Sequence, residues 1–186
     1  MKVFLISGKA RNGKDTMANF IVDYYAKNNK KTVKTGYAKY IKMFATELTD
    51  WDGSEETKSE YRSFLQDLGT QVIRQKMNRP DFFVKRMVED IFVYENYVEA
   101  VIIADVRFPI EIDYLKERFD DVYSIRVIRP DFESELNKKQ LAHETEMSLN
   151  DEGDYDEVII NTTLEEFEKE TIKLIERIDK NEKINK

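Results

Sequence analysis

Gly8-Lys9-Ala10-Arg11-Asn12-Gly13-Lys14-Asp15-Thr16 decides how this chain is read. The apolar run Val3-Phe4-Leu5-Ile6 precedes it, and a helix-period pattern begins at Lys14. A glycine-rich loop between a buried strand and a helix is close to the phosphate-binding pattern G-x-x-x-x-G-K-[ST]. In that pattern backbone N–H groups and a lysine converge on a polyphosphate, and the helix N-terminus adds a favourable dipole. Gly8 and Gly13 permit the curl, and Lys14 is placed to reach the β and γ oxygens. The plain alternative, a glycine-rich turn before a helix, leaves the lysine at that position unexplained. One departure stands out. Asp15 follows the lysine, and the hydroxyl comes one residue later, at Thr16.

Working outward, residues 3–7 read as a fully buried strand. The helix from Lys14 carries Met17, Phe20, Ile21, Tyr24 and Tyr25 on one face and ends at Asn28–Lys31. Thr32–Ala38 reads as a short strand, Tyr40–Leu48 as a helix and Thr49–Thr57 as a loop. Tyr61, Leu65, Leu68 and Val72 recur at helical spacing and predict one helix over Thr57–Met77. Pro80 breaks it, and Asp81 can cap the next helix, which Phe83, Met87, Ile91 and Tyr94 extend to about Glu95. Ala100–Ala104 is a second continuously apolar run, ending at Asp105. A helix over Ile110–Arg118, strands over Val122–Ile128 and Glu157–Ile160, and a closing helix over Thr163–Ile178 complete the pattern.

Strands alternating with helices predict an α/β fold, a mostly parallel five-stranded sheet with helices on both faces. The 186 residues suit a single domain. Its core is expected over 1–38, 98–128 and 154–178. Two stretches interrupt the alternation: a helical one, 39–97, and a charged one, 129–153. In such folds ligands sit at the carboxyl ends of the strands, where both inserts are expected to lie.

Composition narrows the function. The absence of cysteine removes disulfides, thiolate metal sites and cysteine nucleophiles, and suits a reducing, cytoplasmic setting. No apolar stretch approaches the roughly 20 residues needed to span a bilayer. The chain runs straight into a core strand, so no signal peptide and no membrane association are expected. A net charge of −7 argues against a partner that is a nucleic-acid polymer. Basic clusters inside an acidic protein suit small phosphorylated ligands better.

Three further groups carry chemistry. Asp105, closing a buried strand, stands where phosphate-loop enzymes organise Mg²⁺ or the attacking group, although strands also end in Asp as a simple cap. Beside the loop, Asp105 would share a metal with Asp15 or Thr16, because Mg²⁺ takes few protein oxygens and fills the rest with water and phosphate. Arg107, Arg126, Arg129, Lys138 and Lys139 form the second group, suited to neutralising transferring phosphate; most other charges in 131–141 read as a solvated surface. The third is a polar ladder, Arg62, Gln66, Thr70 and Arg74, four residues apart on one helix face, with Lys42 and Asp81 nearby in sequence. Such a ladder is often only a solvent face, but a phosphorylated acceptor with a base to hydrogen-bond needs these residue types. His143, the lone histidine, lacks a partner for a metal site and reads with Glu146 as organising the charged insert.

Taken together, the chain resembles the phage-type deoxynucleoside monophosphate kinases, part of the nucleoside monophosphate kinase group of P-loop proteins. The resemblance rests on Ile6–Thr16, Phe64-Leu65-Gln66-Asp67-Leu68-Gly69-Thr70 with Arg74, Pro80-Asp81-Phe82, Asp105–Glu111, His143–Glu146 and Ile159–Leu164, in order over about residues 3–164. A Gly-Lys-Asp-Thr loop occurs in that family. Thr145 and Ile110 depart from it, standing where serine and asparagine are expected.

The resemblance implies a three-layer P-loop fold, ATP and Mg²⁺ as donor and metal, and a nucleoside monophosphate as acceptor. It implies that Gly8, Arg11, Asn12, Gly13 and Lys14 hold donor phosphates, with Asp15 and Thr16 serving the metal. Asp105 and Arg107 face the transfer site, with Arg129 in support. Lys42, Arg62, Gln66, Arg74 and Asp81 hold the acceptor, and 39–97 becomes the acceptor-binding insert. Arg129, Lys138 and Lys139 belong to a lid over 129–153, and Asn161 lines the adenine pocket. A phage-encoded enzyme would work in the host cytoplasm. Two alternatives stay open: a P-loop kinase for another phosphorylated acceptor, of the phosphomevalonate or dephospho-coenzyme A type, and a nucleotide-binding protein without turnover. The Phe- and Tyr-rich surface could support a homodimer, but nothing in the sequence specifies one.

Overall fold

The structure, a computed structural model, describes residues 1–130 and 155–180. The elements run β1 (Lys2–Ser7), α1 (Lys14–Lys27), β2 (Thr32–Thr35), α2 (Ala38–Leu48), α3 (Lys58–Gln66), α4 (Phe82–Tyr94), β3 (Ala100–Val106), α5 (Pro109–Lys116), β4 (Val122–Ile128), β5 (Glu157–Ile160) and α6 (Leu164–Asp179). A π-helical stretch, Asp67–Lys76, continues α3.

The five strands form one all-parallel sheet in the order β2-β3-β1-β4-β5. Alternation along β1 builds two cores. Phe4 and Ile6 join Met17 and Ile21 of α1 and Phe167, Leu174 and Ile175 of α6 on one face. Val3 and Leu5 join Phe83, Met87 and Ile91 of α4 and Ile112 and Leu115 of α5 on the other. Each of these side chains contributes about 1.5–3 kcal/mol by leaving water, which is why the central strands carry no polar alternation. The result is the expected three-layer α/β fold. No helix among the described residues is long and apolar enough to cross a membrane.

Two irregularities shape the carboxyl end of this sheet. The register between β1 and β3 runs from Leu5 opposite Ile103 to Ser7 opposite Val106, so β3 carries one extra residue there. A bulge of this kind re-aims side chains, and Asp105 lies in it. The second corrects an expectation: Thr57–Met77 is not one uniform α-helix. From Asp67 the winding is i→i+5, as in Met77 N–H donating to the Val72 carbonyl at 2.9 Å. An α-helix would stack Val72 on Leu68. The wider turn stacks Ile73 there instead, 5 % exposed against 38 % for Val72. Burial of the larger aliphatic residue, together with the contacts of Arg74 described below, accounts for the change of winding. Such insertions recur at functional sites.

Candidate active site

Local sequence builds the phosphate loop as the pattern suggests. Gly13 has φ 104, a conformation that side chains other than glycine's rarely tolerate, and a Cβ there would stand 2.5 Å from Asn161 Nδ2. Arg11 also takes a left-handed conformation, φ 60. Lys14 is buried, and its Nζ donates to the carbonyls of Gly8 and Lys9 at 2.8 Å each. The loop is braced from behind: Asn12 Nδ2 donates to the Val127 carbonyl, and Asn161 Nδ2 donates to the Asn12 carbonyl at 2.9 Å. Asn161, expected in an adenine pocket, therefore clamps the loop. Asp15 is exposed and pairs with Lys34 at 3.0 Å. Thr16 is half-buried in the first turn of α1.

Asp105 binds the start of α2. Its Oδ1 accepts from the Tyr37 N–H at 2.9 Å and its Oδ2 from the Ala38 N–H at 2.8 Å. Burial raises the Asp105 carboxyl above its ordinary range, against the lowering effect of those two amides, Arg107 and Lys14. Gly36 makes the approach feasible, because a Cβ there would lie 2.5 Å from Asp105 Oδ2. Gly36→Ala is therefore expected to push the carboxylate off α2 and to lower stability by about 2–3 kcal/mol. Urea denaturation tests this; an unchanged midpoint would show that Asp105 does not anchor α2.

Next to Asp105 lies a buried ion pair. Glu111, 1 % exposed, accepts from the N–H groups of Arg107 (2.7 Å) and Phe108 (3.1 Å) and from Arg74 Nη2 (2.9 Å). Arg74 also donates to the Gly69 carbonyl at 3.1 Å, and its guanidinium lies 4.2 Å from the Phe108 ring centroid and 4.7 Å from that of Phe83. The Tyr37 hydroxyl donates to the Glu111 carbonyl at 3.2 Å. Burial outweighs the pairing with Arg74 and pushes Glu111 up to about 7. The chain from Asp105 through Tyr37 and Glu111 to Arg74 ties β3, α2, α5 and the π-helical stretch into one unit.

These groups line one cleft of about 960 Å³ at the carboxyl end of the sheet. Lys14, Arg11 and Asp15 reach it from the loop, Asp105 and Arg107 from β3, Lys42 from α2, and Arg62, Gln66, Thr70 and Arg74 from the helical insert. Leu65, Ile41, Tyr37 and Phe108 supply apolar wall. Nine cationic side chains against four carboxylates line it, which favours anionic ligands.

The sequence model of the family described as deoxynucleotide monophosphate kinase matches residues 45–171. The chain belongs to the deoxynucleotide monophosphate kinase family. The matched stretch holds the polar ladder, β3 with Asp105, and the Arg107–Glu111 turn; the phosphate loop precedes it. A protein of Acanthamoeba polyphaga mimivirus named "Putative deoxynucleotide monophosphate kinase" is 25 % identical over 193 residues, which span 92 % of this chain and 94 % of that protein.

Not every expected site residue reaches the cleft. Asp81 stands at the N-cap of α4, makes no side-chain capping bond, pairs with Lys85 at 2.5 Å, and lines a separate groove with Arg79 and Arg118. Asp81 therefore lies away from the cleft residues, at the start of the helix that follows Pro80. Lys42 reaches the cleft but is paired with Glu55. Arg129 is exposed just beyond β4 and does not line the cleft. Lys138, Lys139, His143 and Glu146 lie outside the described residues. Sequence reasoning missed Gly36 and Glu111 as parts of the site. Glu111 had a local signal, since it stands three residues after Phe108 at a helix start with Pro109, where a carboxylate caps backbone N–H groups. Gly36 had none, because only the fold brings it to Asp105.

Proposed function

We propose that the protein transfers the γ-phosphoryl group of ATP to a deoxynucleoside monophosphate, giving the diphosphate and ADP. The observation that carries this reading is the single cleft in which Lys14 and Asp105 face Arg62, Gln66 and Arg74. A volume of about 960 Å³ suits two nucleotides meeting end to end better than one small acid. The amide of Gln66, the Tyr37 and Phe108 rings and the apolar wall favour a nucleoside over a purely anionic acceptor of the phosphomevalonate type.

An acceptor phosphate oxygen attacks the γ-phosphorus, and the bond from that phosphorus to the β–γ bridging oxygen breaks, so no covalent enzyme intermediate is needed. Lys14 must leave the Gly8 and Lys9 carbonyls for the β and γ oxygens; its present partners preorganise it at the loop's centre. Arg107 and Arg62 neutralise charge spread over the transferring and acceptor phosphates. The donor set also fits Mg²⁺. No group of three or more His, Asp or Glu placed to hold a metal ion exists among the described residues, and a nucleotide-borne Mg²⁺ asks for only one or two protein oxygens. Thr16 with Asp15 or Asp105 would hold it, and it would supply further neutralisation of the polyphosphate. A cytoplasmic site of action belongs to the same reading.

A coupled assay with ATP, Mg²⁺ and a panel of deoxy- and ribonucleoside monophosphates tests the reading. Diphosphate and ADP are expected in equal amounts from at least one deoxynucleotide; no diphosphate from any of them would sink it.

A further inference from the structure

Arg74 lines the cleft, yet its guanidinium is already engaged on every side the geometry shows. The side chain is 11 % exposed, and the Phe108 and Phe83 rings lie against it. Nη1 donates to the Gly69 carbonyl and Nη2 to Glu111 Oε1. A ligand phosphate can draw Arg74 away only by stranding the buried Glu111 carboxylate without its counter-charge, which is costly. The pair therefore suits a task other than holding substrate.

The second oxygen of Glu111 indicates that task. Oε2 accepts from the N–H groups of Arg107 at 2.7 Å and Phe108 at 3.1 Å. Those two amides form the turn by which the chain leaves β3, directly after the bulge that holds Asp105. The Arg107 side chain lines the cleft, and its charge opposes the rise that burial imposes on the Asp105 carboxyl. An ordinary helix cap needs no distant partner. At α6 the exposed Thr163 hydroxyl simply accepts from the Glu166 N–H at 3.3 Å. The cap of α5 is instead buried, charged, and held by an arginine 37 residues away in the helical insert. One carboxylate thus joins the turn that carries Arg107 to the wall opposite it.

We propose that Glu111 is a positioning residue for Arg107, held in place by Arg74, so that the pair acts on phosphoryl transfer without touching substrate; the assignment rests on the kinase reading. Fixing the turn fixes where the Arg107 guanidinium stands as charge develops, and a displacement of about 1 Å there costs about 10²-fold. Glu111→Gln offers one oxygen and one amide nitrogen, so it serves the Arg107 turn or Arg74 but not both. It is expected to lower kcat about 10- to 100-fold with both KM values near wild type. Arg74→Lys keeps the cation but not the two-armed geometry, and should lower kcat about tenfold, again without raising the acceptor KM. Because both act through Arg107, neither should lower kcat further when added to Arg107→Ala. Losses that multiply in the double variants would overturn the proposal, as would a raised acceptor KM with kcat intact in Arg74→Lys. If Glu111→Gln does not fold, the Arg74→Lys cycle decides alone. Binding separates this claim from the kinase reading. The excess of the ATP-induced Tm shift over the ADP-induced one reads the γ-phosphate contact without turnover. An excess that wild type shows and that Arg107→Ala, Glu111→Gln and Arg74→Lys all lose supports the positioning even if no monophosphate is phosphorylated. An excess kept by the Glu111 and Arg74 variants, or missing from wild type, refutes it.

Discussion

Turnover by a Lys14→Ala variant is expected to fall by about 10²–10³-fold, the usual cost of removing one preorganised donor from a site of developing negative charge. The fold should survive. Lys14 Nζ donates to the Gly8 and Lys9 carbonyls, and the loop is held independently by Asn12 on Val127 and Asn161 on Asn12. Circular dichroism and Tm near wild type, with kcat reduced, are the predicted pair of results. ATP binding should weaken less than kcat, because Lys14 gains most where charge builds up on the transferring group. Steady-state kinetics in the coupled assay decide the matter. Turnover within a few-fold of wild type would mean that the loop does not hold the transferring phosphate.

Arg74→Ala is expected to destabilise the protein by about 3–5 kcal/mol at pH 8, because it strands the buried Glu111 carboxylate without its counter-charge. The effect depends on pH with a definite sign. Glu111 titrates near 7 in the folded protein against 4.5 ordinarily. Between those values the folded state keeps a proton that the unfolded chain has released. Wild-type stability from this group is therefore fully present below about 4.5, falls as pH rises toward 7, and levels above it. Asp105, also raised by burial, acts in the same direction. Without Arg74 the Glu111 pKa moves higher still, so the deficit of the variant widens from pH 5.5 to pH 8. Urea denaturation at both values measures it, and a deficit independent of pH would refute the charge pairing. Glu111→Gln, which cannot release the proton, should flatten the wild-type slope between pH 4.5 and 7.

The layered fold was legible because its signals are local. Continuous apolar strands at 3–7 and 100–104 can be satisfied only by cover on both faces, and the structure supplies α1 and α6 on one side and α4 and α5 on the other. The polar ladder was legible in part: Arg62 and Gln66 follow α spacing to one wall of the cleft, and Thr70 and Arg74 join them. The winding that brings them there was not. Val72 and Ile73 are both aliphatic, so the sequence carries no preference for which one faces the core, and packing on Leu68 chose Ile73. That Asp81 lines a separate groove was not legible either, because proximity in sequence to the ladder says nothing about the direction the chain takes at Pro80.

By itself, then, the sequence determined the loop at residues 8–16, the order of strands and helices, and the anionic character of the ligand, since each depends on neighbours along the chain. The tertiary structure alone decided that Gly36 admits the Asp105 carboxylate to α2 and that Glu111 meets Arg74 thirty-seven residues away. These are contacts between distant segments, fixed by which backbone atoms can approach in a close-packed interior, and no periodicity records them.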